Sequence, residues 1–228
     1  MRALLDERNF MRAAHLGSVA TVMAVPRILS ANPHYPALPY VFVALLAMIL
    51  VSAMATAWSR YGGMCGLLPE RRRLWTGVAI GAAAGLAAYP IACTVDPVIR
   101  AAMFARGYAG LIEQAFPSTL RGVVALVLWA AGFESVFFIA ATMSFFARLT
   151  NNQWAAVLGA AALRIGVTYV KLSQAQLLNI MPLVAIGVAT TVVAAILYAR
   201  AGLPAASVFV AVADARHAIY ILTNHWED

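Results

Sequence analysis

Three charged residues lie inside long apolar stretches of this chain, where a charge is rare and costly. Glu134 is the only formal charge within residues 122–147. Arg164 and Asp214 lie near the middle of two later apolar stretches. A carboxylate at the centre of a bilayer costs about 3 kcal/mol unless it is paired or neutralised. His217 follows Asp214 by three residues, on the same face of a helix, so these four side chains form the candidate site.

From the residues alone, three interpretations of this site stay open. In the first, a buried cluster fixes the packing of the helices. Arg164 lies between the carboxylates of Glu134 and Asp214, and His217 donates to one of them. In the second, Glu134 is a general base that activates water, with His217 as its helper. In the third, the polar pocket binds a ligand or the polar part of a partner helix.

The residue types present do not indicate a cofactor or a metal. The sequence contains no Walker loop, dinucleotide glycine fingerprint, nucleophile elbow or H-E-x-x-H motif. Its two cysteines, Cys65 and Cys93, fall at opposite ends of one predicted span and form no Cys-x-x-Cys pair. We therefore expect no metal, no disulfide and no cofactor.

The composition is that of an integral membrane protein. The chain is 63% hydrophobic and 11% charged, whereas a soluble domain carries roughly 25% charged residues. The net charge of +7 comes from arginines at the ends of apolar runs, which set membrane topology, so we expect lipid contact and no nucleic acid. Because Lys171 is the only lysine, the arginine bias suggests a GC-rich bacterial genome and hence a bacterial inner membrane.

The elements that position these charges are apolar stretches of about 20 residues, the length that crosses a bilayer. The first is the weakest, because Pro26 and Arg27 interrupt it, and an amphipathic lead-in from Met1 to Arg12 precedes it. Short loops predict that the last four spans pack as antiparallel neighbours. The seven predicted spans are 13–30, 38–58, 74–93, 122–147, 153–170, 180–199 and 203–222.

The chain is expected to form a single membrane domain, 1–228, with three parts. Residues 1–73 hold the N-terminal spans and a basic loop. In residues 74–120, Gly77, Gly81 and Gly85 repeat every four residues, which is typical of close helix packing. The part from Thr94 to Leu120 is predicted to be an amphipathic helix at the membrane interface. Residues 121–228 hold the last four spans.

The distribution of basic residues predicts the orientation of the chain in the membrane. With seven spans, nine arginines fall on one side and four basic residues on the other, which favours a cytoplasmic N-terminus. The first side receives Arg2, Arg8, Arg12, Arg60, Arg71, Arg72, Arg73, Arg148 and Arg200. The second receives Arg100, Arg106, Arg121 and Lys171.

Several motifs in the second half follow a known order and spacing. Residues 134–139 read E-S-V-F-F-I, residues 196–202 read I-L-Y-A-R-A-G, and the last helix begins L-P-A-A. Upstream, residues 66–69 read G-L-L-P and precede Trp75. The stretch from Phe133 to Asp214 resembles the CPBP family, the CAAX proteases and bacteriocin-processing enzymes also called Abi. These are glutamic intramembrane endopeptidases, and the similarity covers about two thirds of the chain.

The resemblance also implies that most catalytic positions are substituted. Glu134 matches the first glutamate of the EExxxR motif, and Asp214 matches the last position of HxxxN/D. Ser135 replaces the second glutamate, Ile139 the arginine, Thr168 the histidine of FxxxH and Val210 the histidine of HxxxN/D; Arg164 stands at the phenylalanine of FxxxH. Lost histidines remove groups that stabilise an oxyanion, and a guanidinium beside Glu134 would lock it in an ion pair.

We therefore predict an all-α polytopic membrane bundle with a CPBP-like core and a degenerate site. The expected role is a non-catalytic binding, assembly or accessory subunit whose partner is another membrane protein or a hydrophobic peptide. The first alternative is a divergent endopeptidase acting on prenylated or membrane-spanning peptides, with Glu134 as base, Asp214 as orienter and His217 as helper. The second alternative, a small-molecule or lipid transport component, requires a continuous polar path to one surface.

Overall fold

The computed structural model describes residues 7–31, 36–105, 112–113, 115–174 and 181–223, and these form helices without any strand. The all-α class predicted from the sequence is therefore confirmed. Parts of the predicted N-terminal lead-in and of the predicted interfacial segment lie outside the described residues. The eight long helices of the described part are α1 Glu7–Ala31, α2 Ala37–Trp58, α3 Arg71–Ala87, α4 Tyr89–Phe104, α5 Leu120–Thr150, α6 Gln153–Gln174, α7 Met181–Ala201 and α8 Leu203–Leu222, and a short 3₁₀ turn spans Tyr61–Gly63.

Most of these helices are long and apolar enough to cross a membrane. Within the described residues six qualify singly, and a seventh span results if α3 and α4 together count as one. The apolar helical bundle is thus an integral membrane protein. α1 is a continuous helix with Pro26 inside it, so the predicted interruption at Pro26 and Arg27 does not end the helix. At Gly17 the backbone of α2 approaches so closely that a Cβ atom would lie 2.7 Å from the Ile49 nitrogen.

The glycine stripe of α3 packs against α8, as its spacing predicts. A Cβ atom at Gly77 would lie 3.1 Å from the Ala201 side chain, and one at Gly85 would lie 2.7 Å from Val212 Cβ. At Gly81 the added atom would collide with the carbonyl oxygen of Ala205. All three glycines are buried, so they bring the two helix backbones together.

The third predicted span is wrong in its end point and in its shape. We expected a span from Leu74 to Cys93 followed by an interfacial segment, whereas α3 ends at Ala87 and α4 follows at a 46° bend. Pro90 lies in the first turn of α4, where its missing N–H costs nothing and its ring restricts the preceding residue. On α4, beyond this bend, Asp96 is buried against the rest of the bundle.

Three connections meet at one end of the bundle, which we call the basic end and which comprises residues 59–73, 148–153 and 200–202. The nitrogen of Gly62 donates to Asn151 Oδ1 at 3.2 Å, and the nitrogen of Cys65 donates to the Ala199 carbonyl at 3.0 Å. The tight turn between α7 and α8 depends on Gly202, whose φ is 83° and whose missing Cβ makes room for Pro69. These bonds hold the ends of α2, α5 and α7 together.

Candidate functional site

The site is centred on an unusual part of α5. Residues Ala130–Ala141 form a π-helical stretch inside the α-helical remainder. Two hydroxyls bond carbonyls five residues back, Ser135 Oγ to Ala130 and Thr142 Oγ to Phe137, each at 2.9 Å. A π-helical turn inserts an extra residue, changes which side chains face the interior and is frequent at functional sites. Glu134 lies within this stretch.

The Glu134 carboxylate accepts two hydrogen bonds on one oxygen. Trp129 Nε1 donates to Oε1 at 3.2 Å, and Arg164 Nη1 from α6 donates to the same oxygen at 3.3 Å. The Trp129 indole stacks on Phe133 at 4.2 Å between ring centroids, and Phe133 in turn stacks on Phe137 at 5.7 Å. One face of the π-helical stretch thus carries an aromatic ladder that fixes the indole donor beside the carboxylate.

Arg164 is held by an ion pair and by an aromatic ring. Its guanidinium carbon lies 5.1 Å from the centroid of the Phe138 ring, within the range of a cation–π contact. The side chains of Arg164 and Glu134 are 25% and 29% exposed. Arg164 Nε is buried and has no hydrogen-bond partner in the described part of the chain, so this N–H donor is left unsatisfied.

A small cavity of about 20 Å³ adjoins this ion pair. Such a volume holds about one water molecule. α5, α6, α7 and α8 contribute its walls, and its lining comprises Glu134, Ser135, Phe138, Ile139, Arg164, Thr190, Thr191, Ala194 and Val210. Of the remaining two motif positions, Thr168 lies one turn after Arg164 on α6, and Asp214 lies one turn after Val210 on α8.

Asp214 belongs to a second charge cluster, which the sequence interpretation missed. Arg216 Nε and Nη2 bond the two oxygens of Asp96 at 2.6 and 3.4 Å, and Nη1 bonds Asp214 Oδ1 at 3.2 Å. The Tyr220 hydroxyl adds a bond to Asp96 at 3.4 Å. The Asp96 side chain is 3% exposed, so this cluster ties α4 to α8 through a buried, two-pronged ion pair.

His217 is almost fully buried, with 1% of its surface exposed. Its ring lies edge-on to Phe116 at 5.7 Å and to Tyr220 at 5.8 Å between centroids. Phe116 belongs to a second apolar core that is separate from the main one, and its other buried members are Ile99, Met103 and Ile112. The histidine therefore packs where α4 meets α8.

The structure brings together only part of the predicted four-residue cluster. The expected contact of Arg164 with Glu134 is present, but the hydrogen-bonding partner of Asp214 is Arg216 and not Arg164. The long Arg216 side chain bends back to Asp214 and also reaches Asp96 on α4. The predicted single cluster is thus two clusters.

Arg27 of α1 adds a third cation near the two clusters. It lies within electrostatic range of the Glu134, Asp214 and Glu113 carboxylates. The sequence signal for this residue is its position inside an apolar stretch, where it interrupts the first predicted span.

The fold and the charged interior define the chain as a polytopic helical membrane protein with two ion-paired clusters between its helices. No protein-family model, curated protein or solved structure matches the chain.

Proposed function

We propose that the protein is a membrane-embedded binding, assembly or accessory subunit with a CPBP-type core that no longer catalyses proteolysis. Its partner is another membrane protein or a hydrophobic peptide. The observation that carries this proposal is the bond from Arg164 Nη1 to Glu134 Oε1 beside a cavity of only about 20 Å³.

The ion pair opposes catalysis for a geometric reason. The indole of Trp129 and the guanidinium of Arg164 both donate to Oε1 of Glu134. The guanidinium also occupies volume that a peptide and its attacking water would need, since a general base must lie within hydrogen-bond reach of the proton that it removes. The remaining cavity has room for a water but not for a peptide bond with its flanking residues.

The places of the motif residues in the bundle support a relation to the CPBP core. Glu134, Ser135 and Ile139 on α5, Arg164 on α6 and Val210 on α8 border the same cavity. Those positions are distant in sequence, and the resemblance requires them to converge. Their side chains, however, include neither of the histidines nor the arginine of the family motifs.

We also propose that the basic end faces the cytoplasm of a bacterial inner membrane. The basic end holds six arginines, Arg60, Arg71, Arg72, Arg73, Arg148 and Arg200, and such an excess favours retention on the cytoplasmic side. This orientation places the N-terminus of α1 on the same side, because α1 and α2 run antiparallel and α2 ends at Trp58 in the basic end.

One observation favours the alternative, a divergent glutamic endopeptidase. In the described part of the chain, Glu134 Oε2 accepts no hydrogen bond, and the adjoining cavity can hold a water. In that function Glu134 would activate the water, Asp214 would orient it and His217 would assist. Asp214 and His217 would first have to leave Arg216 and the ring of Phe116, respectively.

A cleavage assay separates the two functions. Purified protein in liposomes is incubated with prenylated peptides and with membrane-spanning peptides, using the wild type, Glu134→Gln and the exposed control Arg121→Gln. We expect no cleavage above the protein-free background for any of the three. Cleavage by the wild type and by Arg121→Gln that disappears in Glu134→Gln would overturn the proposal in favour of the endopeptidase.

A crosslinking experiment tests the binding role itself. A photoreactive amino acid replaces Thr190, which lines the cavity, or Leu158, which is exposed on α6 away from it. In native membranes we expect a discrete adduct with a membrane protein or a hydrophobic peptide from position 190 and none from position 158. Adducts of equal yield at both positions, or none at either, would contradict a partner that packs on the bundle surface over the cavity.

A further inference from the structure

A groove at the basic end shares no lining residue with the cavity beside Glu134. It is formed where α6 begins and α7 ends, between two antiparallel helices. Its lining comprises Gln153, Trp154, Val157, Ile196, Ala199 and Arg200. None of these residues belongs to the two charge clusters, so the groove is a separate feature of the molecule.

The mouth of the groove carries two side-chain hydrogen-bond donors, Arg200 and the indole of Trp154, that make no hydrogen bond within the described residues. Arg200 is exposed and has no hydrogen bond or ion pair within the described residues. The Trp154 side chain is 51% exposed, and no bond of its indole N–H is found within the same residues. The backbone N–H groups of Trp154 and Ala155 already donate to Asn152 Oδ1, at 2.8 and 3.2 Å. The side chains, rather than the end of α6, are therefore available to a ligand.

The floor of the groove is apolar. Val157 and Ala199 are 5% and 6% exposed, and Ile196 packs against the main core beside them. A cationic mouth above an apolar floor matches a molecule with a phosphate at one end and a hydrocarbon chain at the other. Tryptophan is enriched at the level of lipid headgroups because its ring is apolar and its N–H is polar.

The charge of the surroundings selects the class of lipid. The basic end contains one acidic residue, Glu70, against six arginines: Arg60, Arg71, Arg72, Arg73, Arg148 and Arg200. Each arginine near the surface of an anionic leaflet contributes favourably to lipid binding, and basic grooves between helices bind anionic headgroups. A zwitterionic headgroup would bring its own cation next to these arginines.

We propose that this groove binds the phosphate of an anionic phospholipid. Arg200 is the principal phosphate ligand, because a guanidinium can donate two parallel bonds to phosphate oxygens. The Trp154 N–H is a second donor, and one acyl chain passes over the outer surface of the groove beside the exposed Trp154 ring. The lipid would bridge α6 and α7 at the basic end, so its effect should be a gain in stability that depends on the headgroup.

The experiment measures lipid affinity by native mass spectrometry of the full chain and thermal stability in nanodiscs. The probes are phosphatidylglycerol, phosphatidylcholine and inorganic phosphate. We expect Arg200→Gln to weaken phosphatidylglycerol binding about fivefold, the factor for one arginine at the surface. The same substitution at Arg121, an exposed arginine at the other end of α5, should leave binding unchanged, because Arg121 is remote from the groove.

A second variant controls for loss of folding. Trp154→Phe keeps the aromatic ring and removes only the N–H donor, and we expect it to weaken phosphatidylglycerol binding by a smaller factor than Arg200→Gln. Equal weakening by Arg200→Gln and Arg121→Gln would overturn the proposal, since it would indicate attraction by net charge alone. An equal response to phosphatidylcholine would also overturn it, and so would full stabilisation by inorganic phosphate, which needs no lipid.

Discussion

Arg216 makes four hydrogen bonds in the described part of the bundle, three of them to carboxylate oxygens. It bonds Asp96 with two nitrogens and Asp214 with a third, and Nη1 also donates to the Ala213 carbonyl at 2.7 Å. Charges buried in a low-dielectric interior are tolerated only when all of them are paired. Removal of this one cation would leave two carboxylates without their bonded cation.

The first prediction concerns that pairing. Arg216→Met should lower the free energy of unfolding by about 3 kcal/mol or more, because breaking a buried pair leaves an uncompensated charge. The measurement is reversible unfolding in mixed detergent, followed by circular dichroism. Arg121→Met, at an exposed position, should change stability by less than about 0.5 kcal/mol. Equal effects of the two substitutions would show that the Arg216 cluster contributes nothing beyond surface charge.

A second residue-scale prediction concerns Cys65 at the basic end. Partial burial raises the pKa of the Cys65 thiol, and its Sγ donates to the Tyr198 carbonyl at 3.6 Å. Only the thiolate is nucleophilic, so at any pH through which the thiol titrates Cys65 should react more slowly than an exposed cysteine. In a Cys93→Ser background, maleimide labelling of Cys65 should reach half its maximal rate at a higher pH than labelling of Arg72→Cys does. Coincident pH profiles would refute this.

The location of the charges could be predicted from the sequence, but their partners could not. Glu134, Arg164 and Asp214 stand out because they interrupt apolar runs. Asp96 gave no such signal, since Pro97 and Arg100 nearby made its segment look interfacial. Which acidic residue an arginine reaches depends on the tilt and rotation of whole helices. A long arginine side chain can also extend toward either end of its helix.

At the scale of elements, a helix contact that follows from a periodic sequence pattern could be predicted, whereas local distortions of the helices could not. The four-residue spacing of glycines in α3 indicated a close helix contact, and α8 provides it. The π-helical stretch around Glu134 and the bend between α3 and α4 left no comparable pattern. A π-helical turn arises where packing of a long span favours an extra residue, which is a tertiary effect.

The element-scale prediction compares two glycines. Gly81→Ala should lower the free energy of unfolding by about 1–3 kcal/mol, because the methyl group would overlap the Ala205 carbonyl and force α3 away from α8. Gly166→Ala on α6 meets nothing within 4 Å, and it should be neutral or raise stability by up to about 1 kcal/mol. Thermal unfolding in detergent measures both. Equal losses at both positions would contradict this prediction, because the contact of Gly81 with α8 could not then be the cause.

For the whole molecule, composition and arginine placement were sufficient to predict a helical membrane bundle. The bundle contains six spans, or seven with the bent pair, among the described residues. The weakest predicted span, α1, forms one continuous helix, and its Arg27 has carboxylates from other parts of the bundle within electrostatic range. A charge that looks unfavourable in one isolated stretch becomes acceptable once the complete bundle supplies opposite charges.

The whole-molecule prediction tests the proposed orientation. In a background without native cysteines, Arg72→Cys at the basic end and Ser118→Cys before α5 probe opposite ends of the bundle. A membrane-impermeant maleimide added to intact spheroplasts should label Ser118→Cys and should label Arg72→Cys only after permeabilisation. The reverse pattern would place the basic end outside, and equal labelling would contradict a membrane-spanning α5.

The most direct test of the central claim is a double-mutant cycle on Glu134 and Arg164. The claim is that these two charges neutralise each other inside the bundle. Glu134→Gln and Arg164→Met should each lower the free energy of unfolding by about 2 kcal/mol, less than for a fully buried pair because both side chains are partly exposed. The joint variant should recover most of that loss. Losses that simply add would contradict the account and return Glu134 to consideration as a free catalytic base.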